Sequence, residues 1–94
     1  MSEKEKRDLQ LWRNHNRYKI HAEMIIDKAK LRYERHKKDR SDTWFTNPNI
    51  DYHWFEVRLL EELGEFLIDP SSEEAADVLN FMAFILARIE AGLK

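Results

Sequence analysis

Four acidic residues in the second half of the sequence have a spacing suited to binding a divalent cation. Glu62 and Glu65 are three residues apart, and so are Glu74 and Asp77. On a helix, two side chains three residues apart share one face, with Cβ atoms about 5–6 Å apart. Carboxylate oxygens suit a hard cation such as Mg²⁺, with Mn²⁺ as an alternative. The spacing therefore predicts a metal site, the alternative being ordinary acids on two solvent-exposed helix faces.

The two acidic pairs also lie at equal distances from a predicted turn. Residues 69–72 combine Asp, Pro and Ser, a composition that ends one helix and begins another. Two helices joined by so short a connection pack antiparallel. In such a hairpin Glu62 faces Asp77 and Glu65 faces Glu74. Gly64 and its mirror position Ala75 are small, which would let the two helices approach closely.

The spacing of apolar residues predicts an all-α fold, with helices at about residues 4–38, 52–68 and 71–91. The first helix carries one apolar stripe, formed by Leu11, Tyr18, Ala22, Ile25, Ala29 and Tyr33. It either kinks near residues 14–16 or runs along a partner subunit. The third helix is apolar enough to be buried nearly all round. Its N-cap is either Asp69 or Ser71.

Residues 39–51 have the composition of a loop, which contains two aromatic residues, Trp44 and Phe45. These aromatics either pack back on the core or stack on a nucleobase. Gly92 is expected to end the third helix.

Size and composition favour one domain, residues 1–94, whose core is completed by homo-oligomerisation. A core of this size is marginal alone, and no cysteine is available to brace it, yet 43% of the residues are apolar. The longest apolar run, Phe81–Ala87, is too short to span a membrane. The first residues have no apolar segment typical of a signal peptide, so we expect a cytoplasmic protein.

Charge is distributed unevenly along the chain. Lys28–Arg40 is rich in basic residues, whereas Glu61–Asp77 contains acids and no basic residue. The basic block either meets phosphates or forms a solvated helix face. The net charge of −2 makes a nucleic-acid partner unlikely.

Two segments resemble the all-α NTP pyrophosphohydrolases of the MazG-like superfamily. They are HWFEVRLLEELGEF at His53–Phe66 and EEAADVLNFMAFILA at Glu73–Ala87. That family carries an ExxE pair on one helix and an ExxD pair on the next. The resemblance implies a small helical bundle in which Glu62, Glu65, Glu74 and Asp77 bind Mg²⁺. Water activated by the metal would attack the α-phosphorus of a (deoxy)nucleoside triphosphate, leaving the monophosphate and pyrophosphate, with Glu62 and Glu65 as catalytic residues.

The resemblance also suggests how a nucleotide is bound. Arg58 is expected to meet phosphate, Asn80 to reach the sugar or a phosphate, and Trp54 either to line the base pocket or to pack in the core. Glu61 is expected to be exposed, and the four histidines to be surface or packing residues. The family forms homodimers and homotetramers. The alternative is a non-catalytic member that senses nucleotides or binds a partner, since a basic segment that often follows the third helix in the family is not found before Lys94.

Overall fold

The computed structural model describes residues 1–37, 40 and 43–94 and is all-helical over them. Its helices are α1 (Glu3–His36), α2 (Tyr52–Ile68) and α3 (Ser72–Glu90), with a short 3₁₀ turn at Trp44–Thr46. The predicted all-α bundle is therefore confirmed. Positions 39, 41 and 42 of the predicted loop, and Lys38 of the basic block, lie outside the described residues.

Local side-chain chemistry sets both ends of α3. The Ser71 side chain accepts a hydrogen bond from the Glu74 amide at 3.2 Å, so Ser71, not Asp69, is the N-cap. Just after the helix, Gly92 has a φ of 74°, a left-handed conformation that ends helices at little cost for glycine. These two residues fix which turn of α3 presents each acid to α2.

The central helix is α3, which packs against both α1 and α2, while the backbones of α1 and α2 do not meet within the described residues. Contacts from Lys28 to Glu73 and from Tyr33 to Phe84 advance together along α1 and α3, so these helices are parallel. The three-residue connection between α2 and α3 makes that pair antiparallel, as predicted.

Arg88 joins the far end of α3 to the segment that precedes α2. It is 2% exposed, and its guanidinium donates to the carbonyls of Phe45, Asn47 and Ile50 at 2.9, 3.1 and 2.6 Å. The same group lies over the Phe55 ring, 4.7 Å from its centroid. Burial of this charge is thus compensated by carbonyl dipoles and an aromatic face.

The two aromatics of the predicted loop pack back on the helices. Phe45 stacks on Phe84 with ring centroids 5.0 Å apart, and Trp44 stacks on Phe55 at 5.6 Å. Offset and edge-on aromatic contacts of this kind add stability beyond the area they bury. Trp44 therefore has a fixed position against α2 and α3.

The apolar stripe of α1 joins the core only through its C-terminal half. Ala29 is buried and Tyr33 is half-buried, whereas Leu11 and Tyr18 are 67% and 71% exposed. The helix assignment is continuous through residues 14–16. Its N-terminal half extends beyond α3, which is too short to cover it.

Two sequence expectations about the α2–α3 pair are wrong in the single chain. The third helix is not buried nearly all round, because α1 and α2 cover two of its sides and leave Met82, Leu86 and Ile89 exposed by 46%, 66% and 44%. A Cβ built at Gly64 would meet nothing within 4 Å, so a small residue there is not needed for close approach of the helices.

No described helix combines the length and apolarity that crossing a bilayer requires.

We predict that Arg88→Met destabilises the fold by about 3 kcal/mol or more, because several buried carbonyls lose their donor. Urea denaturation followed by tryptophan fluorescence measures the change. Arg13→Met, at an exposed position of α1, is the control and should change the free energy of unfolding by less than about 0.5 kcal/mol. Equal effects of the two substitutions would contradict the anchoring role of Arg88.

Candidate functional site

Three carboxylates meet where α2 and α3 pack together. Oxygens of Glu62 on α2 and of Glu74 and Asp77 on α3 all lie within 4.8 Å of one another. Glu62 is only 5% exposed, and one oxygen each of Glu62 and Glu74 is buried without a hydrogen-bond partner among the described residues. A buried acceptor without a donor is costly, and a hard cation would satisfy both oxygens at once. The residues present therefore fit a Mg²⁺ or Mn²⁺ site.

Glu65, the fourth predicted ligand, lies at the edge of this cluster. The structure brings Glu62 and Asp77 together, as the mirror placement about the turn predicts. Glu65 is exposed and falls outside the group of three, although its charge acts on both Glu62 and Glu74. It is thus near enough to influence the cluster while remaining open to water.

Crowding of the carboxylates changes their proton affinity. Burial, followed by the charge of Glu65, raises the pKa of Glu62 to about 7, against the opposing effect of Arg58. Burial and then the charges of Glu65 and Asp77 also raise the pKa of Glu74. Near neutral pH the cluster therefore retains a proton that a divalent cation would displace.

Two arginines from different helices neutralise part of the cluster. Arg32 on α1 donates through Nη1 to both oxygens of Asp77, each at 2.6 Å. Arg58 on α2 donates to Glu62 Oε1 at 2.6 Å and also pairs with Glu61. Glu61 is exposed, as expected. These bonds leave Glu62 Oε2 without a partner.

A cavity of about 400 Å³ opens beside the acids, and Glu62 and Asp77 are part of its lining. Its aromatic lining residues are Trp44, Trp54, Phe81 and Phe84. Its basic lining residues are Arg32, His36, Arg40 and Arg58. One cavity thus combines flat apolar surfaces, positive charge and the edge of the acidic cluster.

All three residues predicted to bind substrate line this cavity, and each also has a structural contact. Arg58 pairs with Glu62, and the Asn80 side-chain amide donates to the Ala29 carbonyl at 3.0 Å. Trp54 is 39% exposed and contacts the Trp44 ring edge-on, with centroids 6.2 Å apart. It therefore lines the cavity and packs on the core at the same time.

Sequence reasoning did not single out Arg32, His36 and Arg40, which bring the basic block to the cavity. They follow one another at intervals of four, the spacing that places helical residues on one face, and this was the signal available. Lys28, one turn earlier, pairs instead with Glu73 and lowers the pKa of that carboxyl by hydrogen bonding. The block therefore divides between the cavity and an ordinary ion pair.

No protein-family model, curated protein or solved structure matches the chain. The resemblance to the MazG-like superfamily rests on the two acidic segments themselves.

The raised pKa of Glu62 predicts how stability depends on pH without divalent cations. The folded chain holds this proton up to about pH 7 and the unfolded chain only to about 4.5, so the stabilising contribution of Glu62 is lost as pH rises through that window. Between pH 4 and pH 8, the free energy of unfolding of the wild type should fall by about 2–3 kcal/mol relative to that of Glu62→Gln. Urea denaturation in EDTA measures both proteins across this range. Saturating Mg²⁺ should abolish the decline, since the ionised form binds the cation.

Glu61→Gln, at the exposed neighbouring position, is the matched control and should keep the pH profile of the wild type. Parallel profiles for the wild type and Glu62→Gln would contradict a raised pKa at Glu62.

Proposed function

We propose that the protein is a Mg²⁺-dependent nucleoside triphosphate pyrophosphohydrolase, with Mn²⁺ able to replace Mg²⁺. The observation that carries the proposal is that Glu62 and Asp77 belong both to the acidic cluster and to the lining of the aromatic, basic cavity. A cation held by these acids would lie next to whatever occupies the cavity. A nucleotide has the three features that such a site complements, namely a flat base, a polyanionic chain and affinity for Mg²⁺.

We infer a place for each part of the nucleotide from the residues that line the cavity. Trp54, which is 39% exposed, and Trp44 beside it line the part of the cavity where a nucleobase would pack. Arg58 and Arg32 lie on the side of the acids, where the phosphates approach the cation. Asn80 also lines the cavity, and we assign it to the sugar or a phosphate.

The chemistry requires a cation, a water molecule and a base. Glu62, Glu74 and Asp77 would hold the Mg²⁺, which would neutralise phosphate oxygens and lower the pKa of a water. Glu65, exposed at the edge of the cluster, accepts the proton of the attacking water. The bond between the α-phosphorus and its bridging oxygen breaks, so water and triphosphate yield monophosphate and pyrophosphate.

A second candidate function is nucleotide binding without turnover, as in a sensing or partner-binding subunit. One observation favours it: Asp77 and Glu62 already have arginine counter-ions, which lowers the drive to bind a cation. In this case the cavity binds nucleotide and no pyrophosphate is released.

The exposed apolar residues of α2 and α3 support our further proposal of a homodimer or homotetramer. Leu60, Leu67 and Leu86 are 68%, 68% and 66% exposed, which is unusual for leucines on neighbouring helices. A second copy of the chain would cover them, and sedimentation equilibrium would then give a mass above 11.4 kDa. We place this nucleotide-housekeeping activity in the cytoplasm.

The activity is tested with a panel of ribo- and deoxynucleoside triphosphates in Mg²⁺, with pyrophosphate and monophosphate both quantified. We expect equimolar release of the two products by the wild type and a loss of at least about 100-fold in Asp77→Asn, which removes a ligand charge. Glu90→Gln, an exposed substitution on the same helix, should retain full activity.

Binding of a nucleotide without product, in Mg²⁺ and in Mn²⁺, would reject hydrolysis and favour the second candidate. Release of inorganic phosphate in place of pyrophosphate would contradict attack at the α-phosphorus.

A further inference from the structure

Arg32 occupies oxygens that a cation would need. Its guanidinium contacts both oxygens of Asp77 at 2.6 Å, and the two side chains are 32% and 25% exposed. Asp77 is one of the three acids that converge within 4.8 Å. A divalent cation bound there would share its ligand with a positive group and be repelled by it. Cation binding at Asp77 would therefore weaken the bonds from Arg32.

Arg58 does not face the same conflict. Its partner Glu62 has a second oxygen, Oε2, that is buried and has no hydrogen-bond partner among the described residues, so a cation can use that atom while the ion pair persists. Arg58 also pairs with Glu61, which lies outside the cluster. Of the two arginines that pair with cluster acids among the described residues, Arg32 is therefore the one whose contact a cation would weaken more.

A released Arg32 has another anion within reach. Its side chain lines the cavity beside Asp77, where the proposed function places the phosphate chain. A guanidinium presents a planar fork of donors that matches phosphate oxygens as well as carboxylate oxygens. The same side chain can thus serve either anion with little movement of α1.

We propose that Arg32 exchanges partners: it neutralises Asp77 while the acidic cluster holds no cation, and it binds the phosphate chain of the substrate once the cation is bound. This inference rests on the proposed nucleotide site but not on turnover. It makes cation and polyphosphate binding mutually reinforcing, because each favours the conformation of Arg32 that the other requires. Arg32 is then a counter-ion of the empty site and a phosphate ligand of the loaded one.

The exchange predicts that Arg32→Gln raises the affinity for the cation and lowers the affinity for the phosphate chain. Without its competitor, Mn²⁺ alone should bind about 3- to 10-fold more tightly than to the wild type, measured by the loss of the free Mn²⁺ signal in electron paramagnetic resonance. Without its phosphate ligand, inorganic triphosphate titrated calorimetrically in saturating Mg²⁺ should bind at least about 10-fold more weakly. If Arg32 had a purely structural role, Arg32→Gln would weaken the binding of both Mn²⁺ and triphosphate.

Lys28→Gln is the matched control, because it removes one positive charge and one α1–α3 ion pair, with Glu73, outside the cluster. It should change neither affinity by more than about 2-fold. Arg32→Lys keeps the charge but lacks the planar fork of donors, so its affinities for Mn²⁺ and for triphosphate should lie between those of Arg32→Gln and the wild type. It replaces Arg32→Gln in the test if circular dichroism shows that Arg32→Gln does not fold.

An unchanged or lower Mn²⁺ affinity in Arg32→Gln, relative to Lys28→Gln, would overturn the exchange, and so would an unchanged triphosphate affinity. If the opposite shifts are seen but no nucleotide yields pyrophosphate, the exchange stands and hydrolysis is rejected.

Discussion

Repulsion among Glu62, Glu74 and Asp77 is the constraint that the surrounding residues must balance. Three carboxylates within 4.8 Å of one another, one of them nearly buried, do not all ionise without compensation. The structure compensates in two ways, through the arginines on Asp77 and Glu62 and through the raised pKa of Glu62. A divalent cation would supply a third way, and it would also satisfy the two buried oxygens that have no donor among the described residues.

The cavity depends on the same packing. Since α3 carries both Asp77 and Phe84, its position between α1 and α2 determines where the acids and an aromatic wall lie relative to each other. Arg88 helps to position the wall of the cavity that Trp44 forms. By binding the carbonyls of residues 45–50 it holds the segment that follows Trp44, which keeps that ring against Phe55 and at the cavity. The buried Arg88 near the C-terminal end of α3 thus helps to position the cavity that lies beside Asp77, nearer its N-terminal end.

The sequence was informative where the interactions are local. Placement of the acids about a short turn predicted that Glu62 meets Asp77, because a hairpin permits few registers. Composition likewise predicted the bounds of α2, since a polar loop at 39–51 precedes its apolar stripe and Asp69 and Pro70 follow it. Periodicity predicted the apolar stripe of α1 but not that only its C-terminal half packs, since Leu11 and Tyr18 are 67% and 71% exposed.

Contacts between helices that are distant in sequence were not predictable in this way. Arg32 is separated from Asp77 by 45 residues, and nothing in a single sequence shows that α1 runs parallel to α3. The burial of α3 was overestimated because its apolar residues exceed what two neighbouring helices cover, as the exposure of Leu86 shows. Glu65 was grouped with the other acids by its spacing, its mirror placement about the turn and the family resemblance, but it is exposed and lies outside the group of three.

The most direct test of the account is the position of a bound cation. Crystals grown with Mn²⁺ and a non-hydrolysable nucleoside triphosphate analogue should show an anomalous scattering peak within about 2.0–2.3 Å of carboxylate oxygens from Glu62, Glu74 and Asp77. The phosphate chain should lie between that peak and the aromatic walls of the cavity. A saturated crystal with no peak at these acids, or with the nucleotide bound elsewhere, would contradict the central claim that the acidic cluster and the cavity form one site.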